Sequence, residues 1–133
     1  MGNYTSKNRH KYYLKCHLIF VCKYRKPLLQ YGLDKATKQL FQKISESSEF
    51  SIDIMETDKD HIHLLISYPP SVSVTSIVRK LKQESVHHLW LHYYSFLKKE
   101  FWKEHTFWSD GYFVCSIGEA NPDTIRKCIE NKG

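Results

Sequence analysis

The sequence predicts an α+β domain with an antiparallel sheet, helices on one face of that sheet, and an extra helix at the C-terminus. Two observations support this fold class. Apolar residues recur with strand and helix periods in the order strand, helix, strand, strand, helix, strand. The 133 residues, of which 41% are hydrophobic, are enough for one domain with a single core. This order of elements defines the ferredoxin-like (RRM-like) split βαβ fold, in which the first and third strands occupy the centre of the sheet.

The first half of the chain supplies the first three elements. Residues 1–11 are polar and basic and form a loose lead-in, and Tyr12 to Cys22 has the β-branched and aromatic content of a strand. Leu33 to Ser47 places apolar residues at helical spacing. Phe50 to Thr57 alternates as a second strand, with Ile54 assigned to its apolar face. A turn then leads into the third strand, so the second and third strands form a hairpin.

The second half of the chain is rich in aromatic residues. Ser73 is a candidate N-cap for a second helix, and residues 85–103 remain compatible with a helix whose break the pattern does not fix. Tyr112 to Ile117 alternates as the last strand. Gly118 to Ala120 form a short joint, and an Asn-Pro pair then starts a final helix over residues 121–133.

Composition and charge indicate a nucleic-acid partner. The net charge is +6, and 14% of the residues are aromatic. Basic side chains attract phosphates and aromatic rings stack on bases. The longest apolar run, Leu18 to Cys22, is far too short to cross a bilayer, and no membrane partner is expected. The cysteines form no C-x-x-C pair, which favours a reduced cytoplasmic protein with ordinary core cysteines.

Two histidines on the third strand are the leading candidate site. His61 and His63 are separated by one residue, so they project from the same face of the strand while Ile62 points into the core. Two imidazoles held side by side on a rigid strand can bind a divalent metal ion. The alternative is a pair of half-exposed strand histidines without a ligand, and the H-x-H pattern alone favours that alternative.

A basic and aromatic cluster follows the first strand, where Pro27 ends the strand pairing. Interleaved cations and aromatic rings suit contacts with nucleic acid, and a solvated turn is the alternative. Further cations lie on the second helix, where a solvated face is the usual explanation. The candidate DNA-binding residues of the cluster and the helix are Lys23, Tyr24, Arg25, Lys26, Arg79 and Lys82.

Five segments together resemble one family along essentially the whole chain. They are Lys23–Lys26, Asp60–Leu65, the helix from Ser73 to Ser85, Trp108 with Gly111–Phe113, and Thr124–Asn131. In this order and at this spacing they are similar to the single-tyrosine HUH transposases. These are the small TnpA enzymes of insertion sequences that move as single-stranded DNA.

The resemblance implies a specific activity. Such enzymes bind hairpins near the ends of the element and cut one DNA strand, and a tyrosine on the terminal helix becomes joined to the 5′-phosphate. The two histidines would hold Mg²⁺ or Mn²⁺, which polarises the scissile phosphate. The resemblance also implies a homodimer with composite active sites, in which the joint from Gly118 to Ala120 lets the terminal helix change partners. The expected location is the cytoplasm of a bacterium or archaeon, in association with the nucleoid.

The sequence departs from the family pattern at the catalytic helix. Cys128 stands where the family has its nucleophilic tyrosine, and Lys132 stands where it has a glutamine metal ligand. A thiolate is a poor nucleophile toward phosphodiesters, and a protonated lysine cannot bind a metal. We therefore expect a chain that binds its hairpin but cuts poorly or not at all. Considered without the resemblance, Cys128 would be interpreted as a buried cysteine on a helix face with no catalytic role.

Three hypotheses follow from these observations. The first is a single-strand DNA transposase that is impaired in this copy. The second is a DNA- or RNA-hairpin-binding regulator without catalysis, derived from such a transposase. The third is an unrelated ferredoxin-like protein whose histidines bind a metal ion or nothing.

Overall fold

The computed structural model of the protein describes residues 14–116. The predicted lead-in, the joint and the terminal helix, with Cys128 and Lys132, lie outside these residues. In chain order the elements are β1 (Leu14–Val21), a 3-10 turn (Lys23–Arg25), α1 (Leu33–Glu46), β2 (Ser51–Thr57), β3 (His61–Tyr68), α2 (Val74–His92), α3 (Tyr94–Glu100) and β4 (Phe113–Ser116).

The four strands form one antiparallel sheet in the order β2-β3-β1-β4. The predicted split βαβ arrangement is therefore confirmed, with the first and third strands at the centre. The register of the central pair places Val21 opposite His61 and Ile19 opposite His63. The histidine strand is thus held by hydrogen-bonded neighbours on both sides, which makes its backbone a rigid support.

The main core lies between the sheet and the helices. Alternate residues of β1 and β3 point into it and are fully buried, as are large side chains of α1 and α2 (Leu18, Phe20, Ile62, Leu64, Ile66, Phe41, Ile77 and Leu81). The intervening residues, which include His17 and His63, therefore lie on the opposite face of the sheet. The histidine pair projects from the face that the core does not use, as predicted.

The prediction for β2 was wrong at Ile54. The pairing of β2 with β3 shifts its register between Ile52 and Ile54, so Asp53 is the extra residue of a β-bulge. Because a bulge exchanges the two faces of a strand, Ile54 becomes 45% exposed and Met55 packs against the core instead. The bulge also allows Asp53 to accept hydrogen bonds from Ser67 at 2.6 Å and from Lys15 at 2.9 Å.

The helix break that the sequence left open falls at Tyr93. Ser73 caps α2 by accepting a hydrogen bond from the Ser76 amide at 3.1 Å. The helix runs to His92, Tyr93 leaves the helical region with φ −128°, and α3 follows. Trp90 anchors the returning chain by donating to the Thr106 carbonyl at 2.8 Å.

Burial raises the pKa of the Cys16 thiol to about 11 and that of Cys22 to about 12, and both thiols are free. Because a thiol needs its thiolate form to react, both are inert near neutral pH, as expected of core cysteines. Cys115 is disulfide-bonded, which the sequence analysis did not predict. Within residues 14–116, no helix has both the length and the apolar content that a membrane crossing requires.

Candidate functional site

The two histidines of β3 share one face of the sheet, and a carboxylate holds the first of them. Ile62 between them is fully buried in the core, which fixes the direction of both neighbours. The Asp60 carboxylate lies 2.9 Å from His61 Nδ1. Because an ionised carboxylate can only accept a hydrogen bond, a neutral His61 carries its hydrogen on Nδ1 and its lone pair on Nε2.

Asp60 also joins the histidine strand to the basic turn after β1. Its second oxygen accepts a hydrogen bond from Arg25 Nε at 3.2 Å, and its carbonyl accepts one from the Cys22 amide at 2.8 Å. Desolvation acts to raise the pKa of Asp60, but the hydrogen bonds from His61 and Arg25 outweigh it and hold the pKa below its usual value. Asp60 is therefore an anion between two donors.

His63 has a different environment, since a third histidine lies against it. His17 of β1 stacks on His63 with ring centroids 4.4 Å apart, and His17 Nδ1 is in hydrogen-bond contact with His63 Nε2. On its other side, His63 Nδ1 lies 3.7 Å from a carboxylate oxygen of Glu56. Binding of a metal ion through His63 Nε2 would therefore replace the contact with His17.

Burial keeps this pair of imidazoles neutral. It lowers the pKa of His17 to about 4, with a further lowering from His63, and it also lowers the pKa of His63, where Glu56 opposes the shift. A neutral imidazole has a lone pair that can bind a metal ion. The buried Nε2 of His17 has no hydrogen-bond partner among the residues that the structure describes.

The described residues do not complete a metal site by themselves. Between residues 14 and 116, no three His, Cys, Asp or Glu side chains converge closely enough to hold an ion. His61 and His63 could supply two nitrogen ligands to an ion, because their imidazoles share one face of β3 and Asp60 fixes the first of them. Lys132 and Cys128, to which the resemblance assigns the third-ligand and nucleophile positions, lie outside the described residues.

The basic turn after β1 is a fixed structure and not a loose loop. Tyr24 and Arg25 both have left-handed backbone conformations, with φ of 60° and 54°. Such conformations cost roughly 1–3 kcal/mol for non-glycine residues and persist where surrounding contacts enforce them. Here the contacts are backbone hydrogen bonds: the Lys23 amide donates to the Phe107 carbonyl at 2.8 Å, the Arg25 amide to Cys22 at 2.8 Å and the Lys26 amide to Lys23 at 3.2 Å. The turn therefore has one defined backbone geometry, and its Arg25 reaches Asp60 next to His61.

Lys82 has a role that the sequence analysis did not foresee. Its ammonium group donates to the carbonyls of Ser109, Asp110 and Gly111 at 2.8, 3.2 and 2.8 Å. Burial lowers its pKa, while the Asp110 carboxylate opposes that shift. An ammonium group has three hydrogens, and all three are used to hold the loop before β4. The DNA-binding role predicted for Lys82 stays a prediction, as does that of Arg79, which is exposed on α2.

Comparisons with known proteins identify the family. The profile of the IS200-like transposases (Y1_Tnp) matches residues 10–132 of the chain. The chain belongs to this family, whose members are transposases, enzymes that cut and rejoin DNA.

Two curated relatives have the same sequence identity to this chain. One is the ISDra2 transposase TnpA of Deinococcus radiodurans, which is 29% identical over 121 residues, 91% of this chain and 85% of the relative. The other is the transposase of the insertion element IS200 from Salmonella typhimurium, which is 29% identical over 132 residues, 99% of this chain and 85% of the relative. Both alignments extend over nearly the whole chain.

Solved structures support the same assignment. A candidate transposase from Deinococcus radiodurans R1 superimposes with a TM-score of 0.77 at 26% identity, covering 93% of this chain and 94% of the other. A REP-associated tyrosine transposase bound to a REP hairpin has a TM-score of 0.59 at 15% identity, covering 89% of this chain and 65% of the other, and shares the fold.

The sequence analysis assigned no role to His17, Asp60 or Glu56. Alternation along β1 puts His17 on the same strand face as Ile19 and Val21, but the register that brings it to His63 is a property of the folded sheet. The role of Asp60 could have been predicted from its position directly before His61, because a carboxylate adjacent to a histidine can orient the imidazole ring.

Proposed function

We propose that this chain binds single-stranded DNA folded into hairpins at the ends of its insertion element, with a divalent metal ion held at His61 and His63. The observation that carries this proposal is the pair of imidazoles, His61 and His63, on the face of the sheet that the core does not use, with a carboxylate fixing the first. The ion would be Mg²⁺ or Mn²⁺, which polarises the scissile phosphate when bound. Imidazole nitrogens favour Mn²⁺ over the harder Mg²⁺.

Side chains of the basic turn would position the DNA strand so that its scissile phosphate lies at the metal ion. The basic turn brings Arg25 to Asp60, the residue directly before His61, so a phosphate at the histidines would meet positive charge from this side. The exposed Tyr24 ring, which is 65% accessible, offers a stacking surface for a base in the same turn. Hairpin recognition is also supported by the solved relative that is bound to a REP hairpin. By family resemblance, the functional unit would be a homodimer with composite active sites.

Catalysis by this chain would be impaired. The resemblance implies that a tyrosine attacks the DNA strand, forms a 5′-phosphotyrosine and releases a 3′-hydroxyl. The covalent bond then conserves the free energy of the phosphodiester for the rejoining step. With Cys128 at that position and Lys132 in place of the third ligand, the expected outcome is binding with little or no cutting. The second candidate, a non-catalytic hairpin-binding regulator, is favoured by the same two departures.

One experiment tests both hairpin binding and the impairment of cutting. Single-stranded DNA from both ends of the element is incubated with the full chain and Mn²⁺, and DNA retention and covalent adduct are measured on native and denaturing gels. We expect retention that weakens steeply as salt rises, because phosphate contacts release counterions, and we expect little or no adduct. Abundant adduct would contradict the impairment. Failure to retain any hairpin at low salt would exclude both transposase and regulator.

A further inference from the structure

We propose that Asp60, supported by Arg25, is the positioning residue that fixes the tautomer and ring orientation of His61 and so directs the lone pair of Nε2 toward the metal ion. This inference rests on the proposed function of the histidine pair. It assigns to Asp60 and Arg25 a role in binding the ion through His61, without contact to the ion.

The chemistry of the contact defines the tautomer. A neutral imidazole carries one hydrogen on either of its two nitrogens, and in water the two forms exchange freely. The Asp60 carboxylate 2.9 Å from His61 Nδ1 stabilises only the form with hydrogen on Nδ1. Carboxylates that bond the outer nitrogen of a metal-binding histidine typically contribute about 10- to 100-fold in metal affinity.

Asp60 is itself held in place by contacts from two directions, so its carboxylate is not a freely rotating surface group. Its backbone carbonyl accepts the Cys22 amide at 2.8 Å, and its second carboxylate oxygen accepts Arg25 Nε at 3.2 Å. The preceding residue Lys59 is fixed through its carbonyl, which accepts the Leu29 amide at 2.9 Å. The Arg25 guanidinium thus meets a carboxylate at the start of β3 whose backbone is itself hydrogen-bonded.

The second histidine lacks this support and provides an internal comparison. The carboxylate nearest to His63 Nδ1 is that of Glu56 at 3.7 Å, and the Glu56 side chain is 72% exposed. A solvated carboxylate at that distance restrains an imidazole weakly. Removal of the Asp60 carboxylate should therefore change His61 and leave His63 nearly unchanged.

The test combines histidine tautomers with metal affinity in the full chain. Long-range ¹H–¹⁵N NMR spectra report which nitrogen of each histidine carries hydrogen, and calorimetric titration reports the Kd for Mn²⁺. The variants are Asp60→Ala, Asp60→Asn, which keeps an acceptor oxygen, and the control Asp110→Ala. Asp110 is a suitable control because it also forms an ion pair with the basic turn, through Lys23, and its side chain is 97% exposed.

We expect Asp60→Ala to give mixed tautomers at His61 alone and a Kd for Mn²⁺ raised about 10- to 100-fold, with Asp60→Asn between it and the unmodified chain. Asp110→Ala should match the unmodified chain in both measurements. The inference is overturned if His61 keeps its hydrogen on Nδ1 in Asp60→Ala, or if its tautomer changes while Mn²⁺ affinity does not. If the unmodified chain binds no Mn²⁺, the proposed metal role fails, whereas the tautomer spectra still decide whether Asp60 fixes His61.

Discussion

Replacing Cys128 by tyrosine and Lys132 by glutamine together is expected to raise the yield of covalent protein–DNA adduct by about 10³-fold or more, since loss of a nucleophile costs covalent enzymes several orders of magnitude. A phenol extends several ångströms farther than a thiol and, by the family resemblance, is the group expected to attack the phosphodiester. A neutral amide also removes the lysine cation that would compete with the metal ion. The measurement is adduct on a denaturing gel, with single-stranded element ends and Mn²⁺.

The single substitutions and one further variant serve as controls. Cys128→Tyr alone should give less adduct than the double replacement, and Lys132→Gln alone should give none above the unmodified chain. Adding His63→Ala to the double replacement should abolish the adduct, because the metal grip is then lost. Absence of adduct from the double replacement, together with intact hairpin binding, would contradict the view that these two positions are what impairs cutting.

Lys82→Met is expected to lower the free energy of unfolding by about 1–3 kcal/mol, the usual cost of leaving partly buried polar groups without partners. The methionine keeps the aliphatic length of the side chain but removes the donor to the carbonyls of Ser109, Asp110 and Gly111. The Lys82 ammonium also lies 5.5 Å from the centre of the Phe20 ring in the core. The measurement is urea unfolding followed by tryptophan fluorescence.

Lys35→Met is the matched control for this stability effect, because Lys35 is a helical lysine exposed on α1. We expect this change to alter the free energy of unfolding by less than about 0.5 kcal/mol, as is usual for surface substitutions. Equal effects of the two replacements would show that the three carbonyl contacts of Lys82 contribute nothing to stability.

Local pattern was sufficient to predict the sheet and the direction of the histidine pair. Alternation along β3 places His61 and His63 on one face whatever the rest of the chain does, and Ile62 in the core reports which face that is. The order of the elements then determines that this strand lies centrally. Helix bounds were also close, because the N-cap at Ser73 and the periodicity of α1 are local signals.

The features that were missed depend on contacts between distant parts of the chain. The bulge beside Ile54 is stabilised by hydrogen bonds of Asp53 to Ser67 and Lys15, which no local pattern contains. Lys82 resembles any solvated helix cation until the loop before β4 returns to it. Cations of the basic turn were identified by composition, but their carboxylate partners come from three separate segments, at Asp60, Glu100 and Asp110.

The central claim is that His61 and His63 together hold a divalent ion on the face of the sheet opposite the core, and a crystal structure with Mn²⁺ tests it most directly. Anomalous scattering from manganese locates the ion without reference to the protein density. We predict one ion within coordination distance of His61 Nε2 and of His63, with His17 displaced from its contact with His63 and Asp60 still bonded to His61 Nδ1. An ion bound elsewhere, or no ion with both rings unchanged at saturating Mn²⁺, would contradict the account.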